Sequence, residues 1–404
     1  MSWQSASLGD CIELVSGAAF KSAMFTDNPD DIPLVKGENI GQGEILWDKS
    51  RYWPATQYDE YLKLVLKPDD IVLAMDRPWV TAGLKYAIIS DRDPVSLLVQ
   101  RVARIRPLAN ADAKFLKHIV GSKSFLEYIK GIMGGTNVPH ISGRQIRDYK
   151  CRLPDIETQQ RISSILSAYD DLIENNRRRI ALLEEAARQL YKEWFVRFRF
   201  PGHEHVKIID GLPEGWEPTR LGDIAVTNES SYSAKNLPER VRYIDISAVN
   251  RGEIIINSPI ASEEAPGRAR RIANHGDVIW SNVRPNLRAY ALVMYPDEID
   301  VFSTGFTVLS SALLPYSFLY LHTTTDAFVK YLVNHTTGAS YPAVRADDFE
   351  RAEMFAPPRN LLSAFHEQCE PNFEMMAVLR KQIEQLAKAR DLLLPKLMSG
   401  AITV

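Results

Sequence analysis

Residues 162–194 read ISSILSAYDDLIENNRRRIALLEEAARQLYKEW, and apolar side chains return along them in steps of four and three: Ile162, Leu166, Tyr169, Ile173, then, after Asn176, Ile180, Leu183, Ala187, Leu190 and Trp194. This is a heptad seam on one face of a long helix, with one polar break at Asn176. Adding 203 to each number gives a second seam: Phe365, Cys369, Asn372, Met376, Leu379, Ile383, Leu386, Arg390, Leu393 and Leu397. Two such seams in one chain are natural partners, and a buried Asn is a device for fixing register. A run of about 38 residues at ~1.5 Å per residue makes a rod of roughly 57 Å. Pro371 removes a backbone donor in the second copy, so a kink or a late start is expected there.

The seams belong to a larger duplication. Leu8-Gly9-Asp10 answers Leu221-Gly222-Asp223, and Gly43-Glu44-Ile45 answers Gly252-Glu253-Ile254. Asp70-Ile71-Val72 answers Asp277-Val278-Ile279, each followed by an Arg-Pro pair, Arg77-Pro78 and Arg284-Pro285. Residues 134–139 meet residues 337–342, and Leu153-Pro154 meets Ala356-Pro357. The order never breaks, and the offset drifts only from 213 to 203. A period of that size is far beyond solenoid repeats of ~20 to 50 residues, so each unit is a domain. If the units pack about a two-fold axis, equivalent helices run antiparallel and the globular parts lie at opposite ends.

Composition sets limits. With 45% hydrophobic and 25% charged residues in 404, this is ordinary globular material. Met-Ser-Trp-Gln-Ser does not begin a signal peptide and no ~18-residue apolar run occurs, so a cytoplasmic protein is expected. Cys11, Cys151 and Cys369 are too dispersed for a zinc knuckle and suit buried thiols. The net charge of -3 conceals basic stretches. Residues 101–150 hold ten Lys or Arg against Asp112, Glu127 and Asp148. Arg268, Arg270, Arg271, Arg284 and Arg288 surround a single acid, Asp277. Phosphate neutralisation needs such surface, and a solvated mixed face is its rival reading.

Enzyme motifs are missing: there is no Gly-rich cofactor turn, no phosphate loop and no Asn/Asp-Pro-Pro-Tyr/Phe of an adenine methyltransferase. Pro154-Asp155 opens no acid-x-Lys nuclease motif and reads as a helix start. His203 and His205 lack a third ligand, so no metal is expected.

The stretch Leu153-Pro154-Asp155-Ile156-Glu157-Thr158-Gln159-Gln160-Arg161-Ile162, continued by Ala168-Tyr169-Asp170-Asp171-Leu172-Ile173 to Trp194-Phe195, resembles the central region of type I restriction-modification specificity subunits. Phe198-Arg199-Phe200-Pro201-Gly202-His203-Glu204 and Leu392-Leu393-Leu394-Pro395-Lys396-Leu397-Met398-Ser399-Gly400 are similar to that family's helix ends. The resemblance implies two target-recognition domains separated by an antiparallel pair of long helices, binding a bipartite asymmetric DNA sequence. It implies as partners two modification subunits and usually two restriction subunits. It places S-adenosylmethionine, ATP and Mg²⁺ in those partners and no chemistry or cofactor in this chain. Asn360-Leu361-Leu362-Ser363 departs from the pattern that Glu157-Thr158-Gln159-Gln160 matches.

Base-reading side chains are expected on the loops of each reader. Ile71-Val72-Leu73-Ala74 and Val278-Ile279-Trp280 have strand character, and residues 114–130 and 316–333 helical spacing. The candidates are Arg77 with Asn282, Arg284, Asn286 and Arg288, since Arg can bridge guanine and Asn adenine. The Gly-rich loops offer Thr136, Asn137 and His140, and Ser340, Tyr341 and Arg345. Lys21, Lys36 and Asn39 are loosely matched by Ser247, while Arg144 and Arg147 suit phosphate. Plain turns and solvated faces compete at each position. The helix-pairing set is Ile162, Leu166, Tyr169, Ile173, Ile180, Leu183, Leu190, Met376, Leu379, Ile383, Leu386, Leu393 and Leu397.

The expected protein is therefore α+β: two mixed α/β target-recognition domains joined by two long helices in an antiparallel coiled coil. The boundaries are 1–153 and 200–357 for the readers, 154–199 and 358–404 for the helical spacers. Its reading is a non-catalytic, double-stranded-DNA-binding specificity subunit. The alternative is a coiled-coil scaffold whose globular domains bind proteins. If the helices act as a ruler, deleting one heptad from both shifts the gap between the half-sites recognised. An unchanged gap, read from the selected DNA sequences, would remove the ruler.

Overall fold

The computed structural model describes residues 3–80, 83–132, 139–233, 235–255, 258–311, 313–338 and 340–404. Two compact units form, one from Met1–Glu174 with Glu384–Val404, the other from Asn175–Ile383.

In the first unit Ile71–Ala74 is buried on both faces, which is why it reads as a continuous apolar run and lies within the main sheet. The strand order there is Ile12–Ser16, Val102–Pro107, Ile71–Ala74, Tyr86–Ile88 and Gln42–Gly43. Ile32–Val35 leads a smaller sheet and pairs parallel with Leu97–Leu98. Helices Ala113–Val120, Lys123–Ile132 and Gly143–Asp148 complete the unit. The first two occupy the region of helical spacing and are interrupted by Gly121 and Ser122.

The second unit repeats the plan. Val226–Thr227, Phe306–Ser310, Val278–Ser281 and Tyr290–Leu292 form its main sheet, and Arg240–Ile244 pairs parallel with Asp300–Ser303. The likeness extends to single bonds. The Lys67 and Asn274 N–H groups donate to the carboxylates of Asp70 and Asp277 at 2.8 and 2.7 Å. The Tyr128 and Tyr331 hydroxyls donate to the carbonyls of Gln145 and Asp348 at 2.8 and 2.9 Å.

One long helix spans Ile156–Tyr191 and the other Arg359–Met398. Each gives one part to each unit. Within the first unit Ile162, Leu166 and Leu397 share a core with Phe115 and Ile146, and Asp170 accepts from Arg390 at 2.7 Å. Within the second, Asn176 donates to Gln382 at 3.2 Å, and Trp194 and Phe195 pack on Phe365 at 5.6 and 4.8 Å. Low numbers meet high ones, so the helices run antiparallel in both units. Of the seam, Ile162, Leu166, Ile173, Met376, Leu379 and Leu397 are buried. Tyr169, Ile180, Leu183, Leu190, Ile383, Leu386 and Leu393 are half-buried.

Two polar seam positions, Asn176 and Arg390, are paired across the helices. Burial works against the charge of Asp170, but Lys117 at 3.1 Å and Arg390 outweigh it and hold its carboxyl below the usual range. The helix start at residue 156 is fastened by two polar side chains. Asp155 accepts from the Thr158 N–H at 2.8 Å. The buried Gln159 amide donates to the Pro154 and Asn110 carbonyls and accepts from Asp112 N–H.

The second helix corrects one expectation: it neither starts late nor breaks at Pro371. Pro371 is exposed, so water can serve the carbonyl its missing N–H leaves free. Cys369, Phe373 and Met376 hold the adjacent turns in the core. Phe373 takes the buried place, while Asn372, named in the seam, is half-buried. The first helix ends in a π-helical turn, Lys192–Val196, in which Trp194 and Phe195 are buried.

His118 supplies a pH test. Burial, then Lys117, pushes its imidazole from 6.5 down to about 4. Between those values the unfolded chain binds a proton that the folded chain refuses, so stability rises with pH. It should be full above about 6.5 and fall toward pH 4 by on the order of 3 kcal/mol. Denaturant unfolding of His118→Leu should show a shallower loss across this window; an equal slope would contradict the assignment.

Candidate nucleic-acid interface

In each unit a fully buried strand of the main sheet, Ile71–Ala74 or Val278–Ser281, runs into a loop carrying an Arg-Pro pair. Each arginine sits in the left-handed region, with φ of 45° at Arg77 and 49° at Arg284. A non-glycine residue held there costs about 1–3 kcal/mol and persists only where its surroundings enforce it. They do so identically. The Arg77 N–H donates to the Pro139 carbonyl and the Arg284 N–H to the Pro342 carbonyl, both at 2.8 Å. One step on, the Ile141 and Val344 N–H groups donate back to the carbonyls of Met75 and Asn282 at 2.8 and 2.9 Å. Two loop families that are remote in sequence thus form one surface within each unit.

On the first unit this surface is charged. Asp76 forms an ion pair with Arg101 at 2.7 Å and contacts His140. Arg77 is exposed beside them. The Lys85 N–H donates to the Pro78 carbonyl at 2.7 Å, and its ammonium donates to the Gly37 carbonyl. Burial, opposed in part by Glu38, lowers the Lys85 pKa. This bond draws in the loop of Lys36, which pairs with Glu38 at 3.1 Å and lies over Phe25. Lys130 approaches the Trp79 ring at 5.9 Å. Arg144 and Arg147 follow on Gly143–Asp148, both exposed, with Arg144 3.5 Å from Asp148.

On the second unit the same frame carries different groups. The Arg284 guanidinium lies 5.1 Å over the exposed Tyr341 ring, with Ser340 and Arg345 exposed on the same segment. Asn282 accepts from the Thr307 hydroxyl at 2.7 Å. Asn286 is exposed, and Arg288, at φ 57°, pairs with Asp326 at 2.6 Å. That bond holds the Asp326 carboxyl below its ordinary range. Exposed Ser247 donates to Asp245 at 2.7 Å in a turn whose Ile246 packs against Gly305. Gly305 in turn accepts from the Asn282 N–H at 2.9 Å.

Other candidates fall elsewhere. Asn39 is 1% exposed; its amide donates to Leu34 and Ser50 and accepts from Lys36 N–H, so it shapes the turn that presents Lys36. Lys21 is exposed ahead of the turn Ser22–Met24. Thr136 and Asn137 lie outside the described residues. Part of the basic stretch is framework: Arg104 pairs with Glu13 at 2.9 Å, Arg106 with Asp70 at 2.7 Å and Lys117 with Asp170. Arg101, Lys85 and Asp76 were not singled out as contacts. Equivalent backbone bonds, from the Met75 N–H to Arg101 and from the Asn282 N–H to Gly305, place Gly305 opposite Arg101, and the matched loops place Val283 and Ala343 opposite Asp76 and His140. Among the described residues no group of His, Cys, Asp or Glu could hold a metal ion. No helix among them is long and apolar enough to cross a membrane.

Comparison with known proteins finds the following likenesses. Residues 1–185 match the type I restriction modification DNA specificity domain. The whole chain aligns at 28% identity with 94% of the type I restriction enzyme MjaIX specificity subunit of Methanocaldococcus jannaschii. It aligns over 43% of its length, at 34% identity, with 28% of the EcoAI specificity subunit of Escherichia coli. A crystal structure of the S subunit of a type I restriction-modification system from M. genitalium superimposes with a TM-score of 0.59. That match has 15% identity and covers 98% of this chain and 96% of the other.

If the strained arginines are kept for what their side chains touch, replacing either by glycine should separate stability from binding. Arg77→Gly and Arg284→Gly should hold the melting temperature, or raise stability by up to about 1 kcal/mol, while duplex DNA affinity falls. A drop in both would make them framework residues.

Proposed function

We propose that this chain is a type I restriction-modification specificity subunit whose two units read the two halves of a bipartite, asymmetric DNA target. The observation that carries this reading is the pair of Arg-Pro loops, held by the same backbone bonds and surrounded by different side chains. A shared frame keeps both loops in one presentation; divergent side chains demand different bases. In the first half-site Arg77, His140 and Lys36 face the DNA, with Arg144 and Arg147 toward phosphates. In the second, Arg284, Asn282, Asn286, Tyr341, Ser340, Arg345, Arg288 and Ser247 do so.

Chemistry falls to the partners in this proposal. Two modification subunits supply S-adenosylmethionine-dependent adenine methylation, and restriction subunits supply ATP- and Mg²⁺-dependent translocation and cleavage. The helices offer apolar side chains that this chain does not cover, among them Leu172 at 50% and Leu182 at 70% exposure, and a modification subunit is the partner that would bury them.

Affinity for duplex DNA should fall steeply with salt, since each neutralised phosphate contributes a slope of about -0.9. Arg284→Ala should relax base preference in one half-site by roughly 1–3 kcal/mol and leave the other intact. Equal loss in both halves, read by selection from random duplexes, would contradict separate readers; salt-insensitive or absent DNA binding would favour a protein-binding scaffold.

A further inference from the structure

Arg101 stands outside every motif of the chain, and its placement is unusual. It sits in the turn before Val102–Pro107 with φ 65°, a left-handed conformation that a long side chain rarely adopts. Its carbonyl accepts from the Met75 N–H at 2.8 Å, next to the Arg77 loop. Its guanidinium reaches Asp76 at 2.7 Å and is still 67% exposed, whereas Asp76 is 23% exposed. Asp76 also contacts His140, so Arg101, His140 and the Arg77 loop converge on one carboxylate. At the matching positions the second unit does not repeat this cluster. Gly305 takes the position of Arg101, where a Cβ would come within 2.8 Å of Ile246, and Val283 and Ala343 replace Asp76 and His140.

We propose that Arg101 reads a guanine in the half-site of the first unit, with Asp76 as its positioning residue. This rests on the DNA-recognition reading above. A guanidinium has five N–H donors in a planar fork. The ion pair with Asp76 anchors one terminal nitrogen at 2.7 Å, leaving the exposed remainder of the fork for guanine O6 and N7. The carboxylate also offsets the guanidinium charge and so weakens its attraction for a phosphate. Asp76 has acceptor capacity for the amino group of a cytosine, which suits a G·C pair. Since Gly305 has no side chain, the contact is confined to one half of the target and adds to its asymmetry.

The test compares the full chain, assembled with its modification subunits, with Arg101→Gly and Arg101→Lys by selection from random duplexes. Glycine accepts the left-handed backbone, so Arg101→Gly should melt no lower than the parent. Lysine keeps the charge but lacks the fork. Both should lose discrimination at a single G·C position of the first half-site, by about ten- to a hundredfold. The second half-site should stay unchanged. Asp76→Asn should weaken the same position alone. A uniform loss over all sequences, restored by lysine and with a salt slope reduced by about one, would make Arg101 a phosphate contact and overturn the proposal. An unchanged first half-site would overturn it too. If the parent complex selects no bipartite site, it is the recognition reading that fails.

Discussion

Each long helix carries an apolar stripe that must be covered, and the rest of the structure follows from how that is done. In each unit part of one helix lies antiparallel to part of the other, and both pack on the globular core: Ile162, Leu166 and Leu397 in the first, Tyr191, Trp194, Phe365 and Met376 in the second. Every fully buried aliphatic or aromatic side chain contributes roughly 1.5–3 kcal/mol, so burial provides the cohesion. The polar positions do something else. A paired Asp170 and Arg390, or Asn176 and Gln382, adds little net stability, but a slipped register would take the partner from the buried Asn176 and separate the half-buried Asp170 and Arg390.

On that base the duplicated frame has diverged in its side chains. The bonds that seat the Arg-Pro loop recur with the same donors, acceptors and lengths within about 0.1 Å. What stands around them does not recur: a charged cluster of Asp76, Arg101 and His140 in one unit, an arginine on a tyrosine face with Val283 and Ala343 in the other. Backbone bonds are blind to side-chain identity, so recognition can change while the loop geometry stays. The backbone strain at Arg77 and Arg284 fits this arrangement, because over-determined surroundings keep a conformation that the residue alone would leave.

Much of the fold was legible because it rests on periodicity and repetition. The heptad steps marked the helices, and matched landmarks marked the two units. The late start that Pro371 suggested does not occur, because propensity weighs a proline without knowing its exposure; the packing of Cys369 and Phe373 carries the helix through. At the candidate surface, Arg77 and Arg284 stood out through their shared proline. Asn39 looked like a reader but spends its amide on its own turn. Arg101 was hidden, since neither its left-handed backbone nor its partner Asp76 has a local signature.

The central claim is that one chain reads two different half-sites. It is tested most directly by mapping methylated adenines in DNA exposed to this chain in complex with its modification subunits. The account predicts one motif of two unlike halves separated by a fixed gap. A single continuous motif, or two identical halves, would contradict it.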